Sequence, residues 1–219
     1  MSLNIKGICL KQHSVSLRGL CAITDAPIGS LETFAQEALR GGASIVQLRD
    51  KHSNLAALWQ VVPILKRLCD RHGALLIIND NVDLAKAAHG AHLGKEDMPI
   101  GAARSILGHE AIIGISCYGD LNRAKEAQNA GADYVAFGAC FASRTKPNAS
   151  VIDLAVISAA KQALKIPVCA IGGITIDNAA RVIASGADMI AVIGALKADP
   201  FASASSFSAL FNANKIAKE

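Results

Sequence analysis

GGASIVQLRDK, residues 41–51, sets out in one stretch the plan that the rest of the chain repeats. A Gly-Ala pair stands where a helix would stop, an apolar run follows, and the run ends in Arg49, Asp50 and Lys51. Glycine takes the left-handed conformation that closes a helix, so the pair reads as a helix end turning into a strand. The junction recurs at Gly73-Ala74, Gly90-Ala91, Gly131-Ala132 and Gly186-Ala187. Apolar runs of strand length lie at 20–24, 44–48, 74–78, 91–93, 111–116, 133–137, 167–171 and 188–193. Between them, LETFAQEALR (31–40), LAALWQVVPILKRLCD (55–70), LNRAKEAQNA (121–130) and IDNAARVIAS (176–185) have helical spacing. Pro63 predicts a kink in the second helix or a later start to it. Helices alternating with near-continuous apolar strands indicate a parallel sheet buried on both faces. Eight strands in 219 residues predict an α/β protein, a single (β/α)8 TIM barrel. The alternative is an open doubly wound sheet, but its G-x-G-x-x-G loop is absent from LCAITDAPIGS after the first strand. The expected organisation is an N-terminal extension over 1–18, a barrel over 19–213 and a tail over 214–219.

Composition narrows the function classes. The chain is 52% hydrophobic and 18% charged, with a formal charge of +4. Basic residues are scattered, not grouped in runs, which argues against nucleic acid or a membrane surface as partner. Anion recognition must then be local. Cys9, Cys21, Cys69, Cys117, Cys140 and Cys169 contain no CxxC pair, and several sit in apolar runs. With no apolar leader segment in 1–18 and no span-length apolar stretch, the expectation is reduced thiols in a cytoplasmic protein.

Barrel enzymes work at the carboxyl ends of their strands and in the loops that follow. That rule selects Gln47 to Lys51, Asn79 to Asn81, Gly94 to Asp97, Ser116, Ser143 to Lys146, Gly172-Gly173 and Ile193-Gly194. Arg49 and Lys51 are two apart, so an extended strand end points both the same way. A forked donor beside a point charge suits a diphosphate; a solvated loop paired with Asp50 is an equal alternative. Asp80 and Asp97 end neighbouring strands, and two such carboxylates suit Mg²⁺. Capping a helix is the other use of each, most plainly for Asp80 before VDLAKAA. The loop SRTKPNAS (143–150) has the composition of a lid over an anion. Gly172-Gly173 before the helix from Asp177 offers backbone N–H groups to a phosphate. His92 reads as a core or near-site histidine, and the other histidines lack ligand spacing. Cys117 and Cys140 have no base beside them, and Lys51 lacks the apolar surroundings of a Schiff-base lysine.

These motifs together resemble the thiamine phosphate synthase family. AITD (22–25), QLRDK (47–51), IINDN (77–81), HLGKED (92–97), GIS (114–116), TK (145–146), IGGIT (171–175) and VIGA (192–195) follow the family's order over nearly the whole chain. The resemblance implies a transferase that joins a hydroxymethylpyrimidine diphosphate to a hydroxyethylthiazole phosphate and releases diphosphate by a dissociative path. It implies that Gln47, Arg49, Lys51, Asn79, Ser116 and Lys146 hold the pyrimidine diphosphate, with Arg49, Lys51, Ser116 and Lys146 in catalytic roles. Asp80 and Asp97 would bind Mg²⁺; Ser143, Thr145, Gly173, Ile193 and Gly194 would hold the thiazole phosphate. A homodimer is the candidate assembly. The thiazole nitrogen carries no proton to remove, so the lack of a base or nucleophile agrees with this reading. The chain departs from the family at Asp50, Lys95, Ala139, Ala142, Ser143 and Gly194, where Glu, Gln, two prolines, Thr and Ser are usual. Two alternatives are a thiazole tautomerase-like isomerase, disfavoured by Arg49, Lys51, Asp80, Asp97 and Lys146 occurring together, and a non-catalytic barrel that binds a phosphorylated ligand.

Overall fold

A computed structural model describes residues 16–25, 27–50, 53–142 and 150–216, the side chains of 215 and 216 excepted. Eight parallel strands close into a barrel in chain order. They are β1 (Gly19–Ile23), β2 (Ile45–Leu48), β3 (Leu75–Asn79), β4 (Gly90–Leu93), β5 (Ile112–Tyr118), β6 (Tyr134–Phe137), β7 (Val168–Ile171) and β8 (Met189–Val192). The helices are α1 (Leu31–Arg40), α2 (Leu55–Arg71), α3 (Val82–Ala85), α4 (Ile100–Leu107), α5 (Leu121–Asn129), α6 (Ala155–Ala163), α7 (Ile176–Ala184) and α8 (Pro200–Ile216). The single TIM barrel is the architecture expected, and the open sheet is not. Helix α8 runs to Ile216, three residues past the expected end of the barrel at 213. Among the described residues, no helix is long and apolar enough to cross a membrane.

Strand parity divides the apolar residues into two cores. Val46, Leu48, Leu76, Ile78, Ile113, Ile115, Val135 and Phe137 face outward and meet the helices. Ile45, Leu75, Ile77, Ile112, Tyr134 and Met189 alternate with them and fill the inside of the cylinder. Because side chains alternate along a strand, the same parity carries Gln47, Asn79, His92 and Ser116 inward at the carboxyl end of the inner core. The polar layer therefore caps an apolar plug.

Local chemistry explains most of the boundaries. Gly42, Gly73, Gly131 and Gly186 have φ of 92°, 62°, 93° and 103°, as the Gly-Ala reading requires. Gly90 is different: it belongs to β4, and a Cβ there would stand 1.9 Å from the Ile112 carbonyl oxygen. Its glycine serves close strand approach, not a helix end. Pro63 neither delays α2 nor interrupts it. The proline lies on the exposed face, where water can serve the Trp59 carbonyl left without an i+4 donor.

Candidate active site

The carboxyl ends of the strands open into one cavity of about 910 Å³. Gln47, Arg49, Asn79, His92 and Ser116 line one side of it; Gly172, Gly173, Thr175, Ile193 and Gly194 line the other. Seven of the residues expected from sequence therefore line this one cavity: Gln47, Arg49, Asn79, Ser116, Gly173, Ile193 and Gly194. Lys51, Ser143, Thr145 and Lys146 lie outside the described residues. Ala139 and Ala142, where the family resemblance expects prolines, also line the cavity.

The backbone around Arg49 is fixed from β1. Thr24 is fully buried; its hydroxyl accepts from the Arg49 N–H at 2.9 Å and donates to the Arg49 carbonyl at 3.1 Å. The Thr24 N–H itself donates to the Gln47 carbonyl at 3.0 Å. Asp50 accepts from the Ser53 N–H at 2.9 Å and from its hydroxyl at 2.6 Å, just ahead of α2.

The two aspartates stand beside the cavity and not on its described wall. Asp80 follows β3 with a φ of 64°, an uncommon conformation outside glycine that orients its backbone, and its N–H donates to the His92 carbonyl at 2.9 Å. It does not cap α3: Asn81 does, accepting from the Leu84 N–H at 2.9 Å. Asp97 is also no helix cap, since Pro99 holds that place in α4. Its Oδ2 accepts from the Gly94 N–H at 2.6 Å and closes the loop after β4. Among the described residues, no three His, Cys, Asp or Glu side chains converge as a metal cage. Asp80 and Asp97 follow the neighbouring strands β3 and β4, and carboxylate oxygens are the donor type that Mg²⁺ takes when most of its shell comes from outside the protein.

Behind the wall runs a polar chain inside the barrel. Tyr134 is buried within the inner core, with its hydroxyl 2.9 Å from Nδ1 of His92 and its ring stacked against the imidazole. Nε2 of His92 lies 2.9 Å from the Ser116 Oγ. Burial holds the Tyr134 phenol well above its ordinary pKa, the nearby Cys21 and Cys169 thiols push it further, and the Gln47 side chain's hydrogen bond works against them. Gly114 makes room for that ring, because a Cβ there would stand 2.0 Å from Tyr134 Cζ.

Sequence reasoning gave no role to Thr24, Tyr118, Arg123 or Tyr134. Tyr118 ends β5 with a φ of 56° beside a β-bulge, half-exposed on the cavity wall. Nothing in the sequence signals that strain. Arg123 donates from Nε to the Ser116 carbonyl at 2.9 Å and from Nη2 to the Gly94 carbonyl at 3.3 Å, bracing two strand ends. Inward parity could have found Tyr134, two residues before Ala136 on the same face. Cys117 and Cys140 are buried, and burial pushes their thiols up to about 12 and about 11, so neither is poised as a nucleophile.

On the opposite wall, Gly172 and Gly173 have φ of 101° and 63°. A Cβ on Gly173 would stand 2.5 Å from the Phe141 carbonyl oxygen, so this loop packs backbone to backbone against the loop after β6. Helix α7 begins behind it with a capping box: the Thr175 side chain takes the N3 backbone N–H, and Asn178 takes the Thr175 N–H at 2.9 Å. Asn178 also donates to the Gly173 carbonyl at 3.0 Å, which fixes the glycine loop to the helix. After β8, a short 3-10 turn (Gly194–Leu196) follows.

The chain is similar to known proteins over most of its length. The sequence profile of a family described as "Thiamine monophosphate synthase" matches residues 20–196. A thiamine-phosphate synthase of Thioalkalivibrio sulfidiphilus is 53% identical over 202 residues, 89% of this chain and 96% of that protein. One of Methylobacillus flagellatus is 47% identical over 210 residues, 93% of this chain and 100% of its own length. The solved structure of a thiamine phosphate pyrophosphorylase from Pyrococcus furiosus superposes with a TM-score of 0.82 at 37% identity, covering 89% of this chain and 96% of that one. A 3-hexulose-6-phosphate synthase, at 20% identity and a TM-score of 0.71, shares the fold.

Proposed function

The chain belongs to the thiamine monophosphate synthase family, and from that premise we propose that this transferase condenses 4-amino-2-methyl-5-(diphosphooxymethyl)pyrimidine with 4-methyl-5-(2-phosphooxyethyl)thiazole, with Mg²⁺ assisting. The observation that carries this reading is a single cavity with two unlike walls. One wall supplies a cation on a clamped backbone and polar side chains; the other supplies backbone and a helix start. Two phosphorylated substrates need two such places. A volume of about 910 Å³ lies near the top of the range for small-molecule sites, enough for both side by side.

In this proposal, Arg49 receives the diphosphate as a forked donor. Its backbone is clamped by Thr24, so the guanidinium starts from a fixed point. Gln47, Asn79 and Ser116 orient the pyrimidine above the apolar plug. The bond between the pyrimidine methylene carbon and the diphosphate oxygen breaks, and its electron pair leaves with diphosphate. The thiazole nitrogen lone pair then forms the new C–N bond, with no proton to remove. Charge grows on the departing oxygens, so preplaced positive groups stabilise the transition state more than the ground state. Asp80 and Asp97 would hold the metal ion, which when bound supplies further positive charge to the diphosphate. Gly173, Ile193 and Gly194 would hold the thiazole phosphate, as the loops after strands 7 and 8 and a short extra helix do in many barrels. Lys51, Ser143, Thr145 and Lys146 enter this proposal from the family resemblance alone. A cytoplasmic location and a homodimer stand on the same footing.

The test supplies both substrates with Mg²⁺ and follows diphosphate and thiamine phosphate. Turnover is expected, and EDTA should abolish it. Asp80→Ala and Asp97→Ala should raise the Mg²⁺ requirement on the order of tenfold or more while leaving the thiazole phosphate KM nearly unchanged. No product from the pair overturns the reaction; equal loss of metal dependence and thiazole binding moves the metal site elsewhere.

A further inference from the structure

His92 is one of the few buried polar side chains among the described residues, and it joins Tyr134 to Ser116 on the cavity wall in one chain of hydrogen bonds. A chain of hydrogen bonds has a direction, because each hydrogen is given once. The direction can be worked out from its buried end. Of the two hydroxyls that face the imidazole, the Tyr134 phenol is the more acidic and the better donor, and the Ser116 alcohol is the better acceptor. The phenol keeps its own hydrogen, since burial opposes ionisation. That hydrogen points to Nδ1 of His92, 2.9 Å away. Nδ1 is then the bare nitrogen and the neutral imidazole carries its hydrogen on Nε2. Nε2–H in turn donates to the Ser116 Oγ at 2.9 Å. The Ser116 oxygen is thereby occupied as an acceptor from inside the barrel.

We propose that Tyr134 is a positioning residue which, through the tautomer of His92, fixes the Ser116 hydroxyl as a hydrogen-bond donor to the pyrimidine diphosphate substrate in the cavity. The opposite polarity would have a different result. If Nδ1 carried the hydrogen, Nε2 would accept from Ser116, and the hydroxyl hydrogen would be consumed within the protein. Only the first arrangement offers a donor to an acceptor-rich ligand. The stacking of Tyr134 on His92 and the space left by Gly114 hold the relay in line. The identity of the ligand rests on the function proposed above; the polarity of the chain does not.

The experiment has two readouts. Nitrogen NMR of the ¹⁵N-histidine-labelled protein without substrates reports the His92 tautomer directly. Nε2 of the wild type should show the protonated nitrogen's upfield shift and Nδ1 the bare nitrogen's downfield shift. In Tyr134→Phe, which keeps the ring in its place, the Nδ1–H form should gain population. Steady-state kinetics should then show kcat of Tyr134→Phe reduced on the order of tenfold with the thiazole phosphate KM nearly unchanged. Combined with Ser116→Ala, the Tyr134 change should add no further loss, as expected of two groups that act as one. A bare Nε2 in the wild type overturns the proposal, and so does a loss in the double variant that multiplies the two single losses. Failure of the wild type to form product counts against the proposed reaction, whereas the tautomer is read without any substrate.

Discussion

At the scale of the residue, burial decides chemistry before any partner does. Cys21 and Cys69 show it most simply: in their interior positions, burial pushes both thiols up to about 12, and Asp70 adds to the effect at Cys69. Cys117 is raised likewise to about 12. These raised values make stability depend on pH in one direction. Below pH 9 the thiols are neutral in both folded and unfolded chains and contribute no dependence. Between pH 9 and about 12 the unfolded chain loses their protons and the folded chain keeps them. Unfolding therefore becomes easier as pH rises, by about 1.4 kcal/mol per pH unit for each such thiol. The urea midpoint should fall steeply from pH 9 to pH 11, and Cys21→Ala should flatten part of that slope. A midpoint that holds constant to pH 11 would show that the thiols ionise in place. The same reasoning explains why the barrel tolerates Tyr134 in its inner core: a phenol held neutral can donate but does not ionise.

At the scale of the element, strands are tied in pairs below the barrel by the residue that precedes every second one. His89, ahead of β4, accepts through Nδ1 from the Leu76 N–H of β3 at 2.8 Å. Asp133, ahead of β6, accepts from the Ile113 N–H of β5 at 2.8 Å and pairs with Arg104 at 2.7 Å. Asp188, ahead of β8, accepts from the Val168 N–H of β7 at 2.8 Å and pairs with Lys161 at 2.7 Å. Each side chain fills a backbone donor that the staggered sheet leaves at its edge. Asp188→Ala should leave the Val168 N–H unsatisfied and lower the unfolding free energy by about 1–3 kcal/mol. The site lies at the other end of the strands, so kcat at 25 °C should not change. Denaturant unfolding of the variant with an unchanged m-value checks this; a shift below about 0.5 kcal/mol, the ordinary size of a surface substitution, would contradict it.

At the scale of the whole molecule, the sequence was most legible where chemistry is local. Gly-Ala junctions and continuous apolar runs gave all eight strands in order, because helix ends and double burial each leave a local mark. The wall residues Gln47, Arg49, Asn79 and Ser116 were legible as the first polar residues past apolar runs. What escaped required three dimensions. Tyr134 sits in an apolar-looking run and becomes polar in effect only because β4 and β5 bring His92 and Ser116 beside it. The strained backbone at Asp80 and Tyr118 depends on how β3 and β5 end against their neighbours, which no spacing encodes. Pro63 misled because its consequence depends on which face meets water. The central claim is that diphosphate and Mg²⁺ meet at the carboxyl rim, between Arg49 and the two aspartates. The direct measurement is a crystal structure of the protein grown with Mg²⁺ and diphosphate. The prediction is diphosphate against Arg49, with the cation shared between its oxygens and the carboxylates of Asp80 and Asp97. Diphosphate held at the amino-terminal mouth of the barrel, or a cation remote from both aspartates, would contradict it.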